Sequence, residues 1–519
     1  MFSRNIGRLV KYSLYGSVGI GGTVGFLKAQ DDDIAALTVV RVIRTATTAV
    51  EIGRIYQTML YSKEWDTESE EYLQLRSQAH QFSAEKLLDL CIANRGIYIK
   101  LGQHVGALEY LVPNEYVKTM QILHKNAPKN TVQELNQVIE EEFNKKADEL
   151  FDDFEPEPLG TASLAQVHKA KLKDGTVVAV KVQHPFVKNN FDIDLKWIEF
   201  VLKTMMKIFP EFKMQWLIDE TKKNIKKELD FLLEGENAEK VAELFKHYKW
   251  LKIPKIYREY STSRVLVMEY IQGGMINDLK YIEEHKINKF DVCEKIGDLY
   301  SNMIFVTGFV HSDPHPGNIM VIKEPKDKEV TLCLLDHGLY AQLTDEFKYH
   351  YSKLWLGILS RNTEEMRIHS EAIGIRKELY GLFACIVTGR TWEAILQGIN
   401  RTNPSPHEKR IFQEHLPSFI HHVTHCLEQV DRQALLVFKT NDLIRSIEYA
   451  LGTDKRMCGS IVMTKYCLQN VYQYDCRHVS SVVRRPLLAI KYRWSLVLLY
   501  FFNLYLALIE KWNKCVNCS

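Results

Sequence analysis

His311-Ser312-Asp313-Pro314-His315-Pro316-Gly317-Asn318, followed after two short apolar runs by Asp336-His337-Gly338, decides how this chain is read. Phosphoryl transfer asks little covalent chemistry of a protein but strict positioning. It needs a carboxylate near the attacking hydroxyl, and carboxylate and amide oxygens that hold Mg²⁺ against the phosphates. Asp313 supplies the first, as a base; Asn318 and Asp336 supply the second. Between them, Ile319–Lys323 and Val330–Leu335 read as strands joined by the polar turn Glu324–Glu329. HxDxxxxN alone occurs often by chance, but joined to a strand pair and an Asp-x-Gly it is specific. A polar surface loop holding two unrelated acids is the weaker alternative.

The five-residue step from Asp313 to Asn318 is that of a protein-kinase catalytic loop, and two further stretches fit the same plan. Val178-Ala179-Val180-Lys181 matches the strand lysine that pairs with the α- and β-phosphates. A lysine ending an apolar strand is costly to bury unless a carboxylate meets it. The candidate partner is Glu234, on a helix read over Lys222–Phe245; a solvated acidic face made by Glu228, Asp230 and Glu234 is the alternative reading. Val267-Met268-Glu269-Tyr270-Ile271 then runs into Gly273-Gly274. An apolar strand opening into a glycine-containing link suits an inter-lobe hinge. There the backbone of Glu269 and Ile271 would meet an adenine edge, with Met268 as gatekeeper.

Three more segments complete the pattern. Leu159-Gly160-Thr161-Ala162-Ser163-Leu164-Ala165-Gln166-Val167-His168 stands where a protein kinase carries its glycine-rich loop. Lys100-Leu101-Gly102-Gln103 lies upstream, and Glu228-Leu229-Asp230 precedes Glu234 by six residues. In these segments the chain resembles the UbiB/AarF family of atypical, protein-kinase-like proteins, with its alanine-rich loop and AQVH-like strand, KxGQ, ExD and HxDxHPGN motifs. The resemblance spans about residues 80–345. It implies an α+β, bilobal protein-kinase-like fold with helical extensions at both ends, binding ATP or ADP with Mg²⁺. On that template Gly160, Thr161, Ala162 and Ser163 lie at the nucleotide, Lys181 and Glu234 position the phosphates, Asn318 and Asp336 hold the metal, and Asp313 is the base. The resemblance also implies that the KxGQ segment folds across the active site, that Lys100 pairs with Glu228, and that Lys100, Gln103, Glu228 and Asp230 gate it. Two departures stand out: Gly160-Thr161 where the family more often has alanine, and DHG in place of DFG.

Around this centre the chain divides into a leader (1–35), a helical extension (36–148), a small lobe (149–271), a helical lobe (272–480) and an apolar terminal segment (481–519). In the extension, Phe82, Leu87, Leu88, Cys91 and Ile92 recur at three- and four-residue spacing, which puts them on one helix face. Thr131-Val132-Gln133-Glu134 is a capping box followed by Leu135, Val138, Ile139 and Phe143 on one face. Ala165–Leu172 and Val177–Val182 read as strands around an Asp174-Gly175 turn. After Gly338 only Leu339–Leu343 precede helix-forming sequence at Thr344, and no APE appears. The platform on which protein kinases dock peptides is therefore missing.

Bulk properties exclude several classes. Of 519 residues 46% are hydrophobic and 25% charged, which is ordinary for a globular protein, and the net charge of +2 does not point to a nucleic-acid partner. Ten scattered cysteines lack the density of a disulfide scaffold, and Cys515 with Cys518 makes a lone CxxC without a second pair. His421, His422 and His425 have no acidic or Cys companion and read as polar helix decoration.

The termini bear on location. Arg4, Arg8, Lys11 and Lys28 precede the first acid, Asp31, as in a mitochondrial transit peptide. Tyr12–Leu27 is charge-free, with a Gly21-to-Gly25 step suited to close helix packing in a membrane; a cleaved leader is the equal alternative. Trp494–Ile509 is also charge-free and follows Arg484, Arg485, Lys491 and Arg493. It suits attachment to a membrane surface, with a buried helix of the lobe as the slightly favoured alternative. The expectation is an ATP-using enzyme, an ATPase or a kinase of small or lipid-like molecules, at the mitochondrial inner membrane in lipid or quinone homeostasis. Membrane lipids and mitochondrial membrane proteins would be its partners. A non-catalytic, nucleotide-switched interaction protein supporting cristae organisation is the alternative.

Overall fold

The computed structural model describes residues 38–66, 69–106, 112–125, 129–185, 187–208, 222, 224–323, 329–398, 408, 431–479 and 484–517. The leader, the turn at 324–328, the three histidines at 421–425 and Cys518 lie outside the described residues. Two compact units are present, Met1–Leu232 with Tyr257–Tyr270, and Leu233–Ile256 with Ile271–Ser519.

In the first unit, helices Thr38–Met59, Glu70–Asn94, Ile97–Gly106 and Val187–Ile208 enclose a core that includes Leu90, Cys91, Tyr98, Phe191 and Leu195. The first helix is fastened to the last by a buried ion pair: Arg41 Nε donates to both oxygens of Asp194, at 3.0 and 3.1 Å. Phe82 and Ile92 do not join the core; they are 49% and 42% exposed. The inward stripe of that helix runs instead through Ala79, Ser83, Leu90 and Asn94. Counting only large apolar residues rotates the inferred face, because small side chains let the neighbouring helix come close.

The small-lobe sheet is antiparallel in the order β1 (Phe151–Thr161), β2 (Ala165–Leu172), β3 (Val177–Gln183) and β5 (Val265–Glu269). Alternation in β2 and β3 buries Ala170, Leu172, Val178, Val180 and Val182 against Leu135, Val138 and Ile139 of the helix Val132–Phe143. That helix begins with the expected capping box: Thr131 Oγ1 accepts from Glu134 N–H while Glu134 accepts from Thr131 N–H. Gly175 turns the hairpin at φ +91°, a conformation glycine adopts without strain.

The helix read over Lys222–Phe245 is broken. Residues 224–228 are helical, the chain turns at Leu229–Asp230, and a new helix runs Phe231–Leu244. Asp230 causes the break: its carboxylate accepts from Leu232 N–H at 3.1 Å, satisfying a donor that a helix start leaves without a partner. Val241 and Phe245 beyond the break pack into the second unit's core.

The second unit holds a sheet in the order β4 (Leu251–Lys252), β9 (Thr331–Leu334), β8 (Ile319–Ile322), β6 (Gly274–Met275), and a pair made by β7 (Phe309–His311) and β10 (Tyr340–Gln342). Helices Lys289–Asn302, Asp345–Ser360, Arg432–Ala450 and Cys458–His478 surround a core with Tyr300, Phe305, Tyr351 and Phe383. Two of them touch through glycines, since a Cβ on Gly297 would come within 2.9 Å of Gly459 Cα. Gly274 is likewise set by packing, because a Cβ there would overlap the Tyr281 ring at 2.2 Å. The terminal helix Arg484–Asn517 lies against Cys458–His478 but is not buried, contrary to the favoured reading of Trp494–Ile509; Trp494 is 62% exposed.

Candidate active site

The candidate residues fall into two groups, one in each unit. In the first, Lys181 ends the apolar run of β3, paired across to Val167 on one side and Leu266 on the other. Its ammonium lies 5.2 Å from the Phe231 ring centroid. Glu269 closes β5 opposite Val178, and Met268 beside it is buried. Ile271 follows at the start of the second unit, partly buried.

Of the predicted loop, Gly160 and Thr161 end β1, paired with Val167 and Gln166; only Ala162, exposed, and Ser163, buried, lie in the turn to β2. Ala162 N–H donates to Ala165 O at 2.8 Å. The Ala162 carbonyl accepts from His184 Nε2 at 3.0 Å, and His184 N–H binds Leu164 O. A residue just past β3 thus holds the loop from inside the fold. His184 Nδ1 is buried without a hydrogen-bond partner. Burial, against the Ala162 hydrogen bond, depresses its pKa below the ordinary 6.5. The unfolded chain therefore binds the proton first, so the stability from this group is complete above about pH 6.5 and drains as pH falls. Denaturant melts at stepped pH should show wild type losing stability below pH ~6.5 with a slope approaching 1.4 kcal/mol per pH unit from this group, and His184→Gln losing visibly less.

The AQVH stretch serves the scaffold. Gln166 is fully buried, and its carboxamide oxygen accepts from Asn130 N–H. His168 stacks on Phe154 at 5.0 Å and bonds Glu155 O through Nδ1 at 2.8 Å.

Lys100, on the helix Ile97–Gly106, meets Glu228: Nζ to Oε2 is 2.8 Å, with each side chain 11% exposed. The neighbouring motif residues fasten that helix. Gln103 Nε2 donates to Leu123 O at 3.0 Å. A Cβ on Gly102 would fall 2.4 Å from Leu123 Cδ1, 3.2 Å from Cys91 Sγ and 3.3 Å from Met120 Sδ. Gly102→Val should therefore cost about 1–3 kcal/mol by overpacking, read as a lower denaturation midpoint at unchanged slope. Asp230 is exposed and caps the next helix, a role its motif spacing does not reveal.

In the second unit, Asn318 Nδ2 donates to Asp313 O at 3.1 Å, and Asn318 N–H to His315 O at 3.0 Å. The amide nitrogen is therefore committed, and its oxygen is turned the other way. Asp336 is held on three sides: Oδ1 accepts from Gly338 N–H at 2.9 Å, its carbonyl binds His311 Nε2 at 2.8 Å, and Leu335 N–H next to it donates to Asn318 O. Both side chains present oxygens, the donor set of a hard cation. Among the described residues no group of three His, Cys, Asp or Glu could hold a metal. Mg²⁺ takes one or two protein oxygens and completes its shell with phosphates and water, so two such side chains would be enough to hold it.

His337 replaces the phenylalanine of DFG without leaving the interior. It is 2% exposed, with Tyr340 OH 2.9 Å from Nδ1 and Leu334 O 3.2 Å from Nε2. The Leu334 carbonyl can only accept, so Nε2 carries the hydrogen and Nδ1 accepts from the phenol. Asn237 Nδ2 binds the His337 carbonyl at 3.0 Å. Burial first, then the charges of Tyr300, Asp336 and Glu234, push the Tyr340 phenol well above its ordinary pKa. Glu234 is buried and lies on the helix Phe231–Leu244, in the second unit. Sequence reading missed His184, Asn237 and Tyr340; only the two β7–β10 aromatics, Phe309 and Tyr340 (stacked at 4.5 Å), carry a faint signal as a pair flanking the motifs.

Sequence comparison agrees with this architecture. The profile of the ABC1 atypical kinase-like domain matches residues 122–370. The AarF domain-containing kinase 1 of Drosophila melanogaster is 52% identical over 500 residues, 96% of each chain. The AarF domain-containing protein kinase 1 of Mus musculus is 43% identical over 493 residues, covering 94% of this chain and 93% of its own. A solved erythromycin complex from Mycobacterium tuberculosis is a fainter likeness, with 20% identity and a TM-score of 0.46 over 73% of this chain and 94% of that one. With relatives this similar over more than nine-tenths of the chain, and a kinase-like α+β fold, the chain belongs to the ABC1/AarF family of atypical kinase-like proteins.

Proposed function

We propose that this protein is an ATP- and Mg²⁺-dependent enzyme of mitochondria, hydrolysing ATP or phosphorylating a small or lipid-like molecule in lipid or quinone homeostasis. The observation that carries the reading is the fixed set Asp313, Asn318 and Asp336, with the Asn318 amide turned by Asp313 and Asp336 held through its carbonyl and Oδ1. Bound ATP would supply the transferable phosphoryl group. Lys181 would meet its α- and β-phosphates, the loop Gly160–Ser163 would lie over it, and the backbone of Glu269 and Ile271 would meet the adenine. Asn318 and Asp336 would hold the metal, and Asp313 would accept a proton from the attacking oxygen.

A peptide substrate is disfavoured by the chain after Gly338. It passes directly into β10, pairs back to β7, and enters the helix Asp345–Ser360 capped by Thr344, leaving no segment for peptide docking. The buried Lys100–Glu228 pair supports a fixed, gating role for the KxGQ helix. The DHG histidine supports a rigid rather than switching Asp336, since its two hydrogen bonds hold the ring inside. The mitochondrial placement rests on the basic, acid-free leader. The test is Mg²⁺-dependent ATP hydrolysis by the purified full chain, with and without lipid, against labelled-phosphate transfer to protein substrates; transfer to diverse proteins with no hydrolysis or lipid dependence would sink it. The second reading, a nucleotide-switched interaction protein supporting cristae, uses the same residues and predicts that Asp336→Asn still restores function in cells.

A further inference from the structure

The helix Arg484–Asn517 shows two opposed stripes. Leu488, Tyr492, Leu496, Leu499, Asn503 and Leu506, the last one buried and the others partly so, recur at steps of three and four, with the partly buried Ala489, Ser495 and Ala507 beside them. This side lies against the helix Cys458–His478, where Tyr492 stacks on Tyr472 at 4.8 Å. The other stripe, Ile490, Trp494, Leu498, Phe501, Tyr505 and Leu508, keeps the same steps and is between 54% and 64% exposed at every position. Val497, Tyr500, Phe502, Leu504 and Ile509 widen it and are exposed as well. An uninterrupted apolar face of this extent exceeds the few hundred Å² that soluble monomers commonly leave in water.

We propose that this outer face inserts into the interfacial layer of an anionic lipid bilayer, the helix lying in the membrane plane. Three observations choose lipid as the occupant. The apolar arc covers more than half the helix circumference, wider than the a/d seam that a second helix would fill. At 3.6 residues per turn, Lys491 and Arg493 fall on opposite flanks of the arc, both exposed, where long stems reach headgroup phosphates while the centre stays apolar. Arg484 and Arg485 add two more cations, and no acidic residue occurs from 484 to 509, which complements a negative surface. The inner stripe faces the helix Cys458–His478, so the bare stripe is the side open to lipid, and an in-plane orientation fits a helix with one protein-facing and one bare side. The inference is independent of nucleotide binding and names the membrane-facing surface that the proposed function requires.

The test is flotation of the purified full chain with phosphatidylcholine vesicles, alone or carrying phosphatidylglycerol. Wild type should bind, with preference for the anionic vesicles. Phe501→Glu/Tyr505→Glu should lower the bound fraction at least tenfold, and Lys491→Glu/Arg493→Glu should erase the anionic preference. All four side chains are exposed, so circular dichroism, thermal melting and nucleotide binding should be unchanged; Trp494→Ala/Leu498→Ala provides a milder pair, expected to weaken binding in the same direction. Vesicle binding equal to wild type in the Phe501/Tyr505 variant overturns the proposal. So does a halving of the native mass in that variant without lipid, which would make the occupant a second copy of the chain. Loss of nucleotide hydrolysis with vesicle binding retained would count against the proposed enzyme alone.

Discussion

Asp336→Asn is expected to lower Mg²⁺-dependent ATP hydrolysis by about a hundredfold or more, roughly 2.7 kcal/mol of transition-state stabilisation at 1.36 kcal/mol per decade. The substitution is mild for the fold. An asparagine oxygen can still accept from Gly338 N–H, and the His311 bond goes to the residue 336 carbonyl, which is retained. What disappears is the negative charge that, on the proposed function, would face a divalent metal and, through it, the phosphates. The loss should therefore appear as weaker Mg²⁺ dependence with an unchanged melting curve. Asp313→Asn should reduce turnover by ~10²–10⁴ through loss of the base while leaving nucleotide affinity nearly intact. Steady-state hydrolysis at varied Mg²⁺, with melting curves on the same preparations, decides both.

Removing one partner of the Lys100–Glu228 pair is the second large effect. The two charges meet at 2.8 Å with only 11% of either side chain exposed, so their attraction offsets a substantial desolvation cost. Glu228→Gln leaves a buried ammonium without its counter-charge, and Lys100→Met leaves a buried carboxylate. Each should cost about 3–5 kcal/mol, a large share of the ~5–15 kcal/mol stability of a typical domain. The double variant Lys100→Met/Glu228→Gln should recover most of that loss, since neither charge remains. Urea unfolding across the four proteins measures the coupling. Equal, additive losses would mean that the pair contributes no specific interaction.

The geometry around Asp313, Asn318 and Asp336 is short-range, which is why motif spacing singles these residues out. Asp313 and Asn318 are bound to one another through a five-residue turn, and Asp336 bonds Gly338 two residues on, so spacing alone encodes both. The β2–β3 hairpin was equally readable, its Gly175 turn and alternating valines being short-range signals. The misread elements have physical causes. Leu229–Asp230 breaks a stretch of helical composition because one carboxylate caps the next helix, an event no periodicity records. Phe82 and Ile92 share the apolar spacing of Cys91 yet stay exposed, while the small Ala79 and Ser83 are buried, because burial follows which side of the helix is covered. The apolar terminal helix invited a buried assignment that its position on Cys458–His478 contradicts.

By itself the sequence determined the family, the kinase-like α+β class and the short-range geometry of the Asp313–Asn318 loop. These depend on residue type, spacing and turn chemistry within a few positions of each other. Tertiary structure alone decided that His184 holds the Ala162 carbonyl, that Asn237 and Tyr340 fix His337, and that one face of the terminal helix is left bare. The reason is that burial and long-range pairing follow from which surfaces the packed elements cover, a property of the assembled chain that no local run of residues specifies.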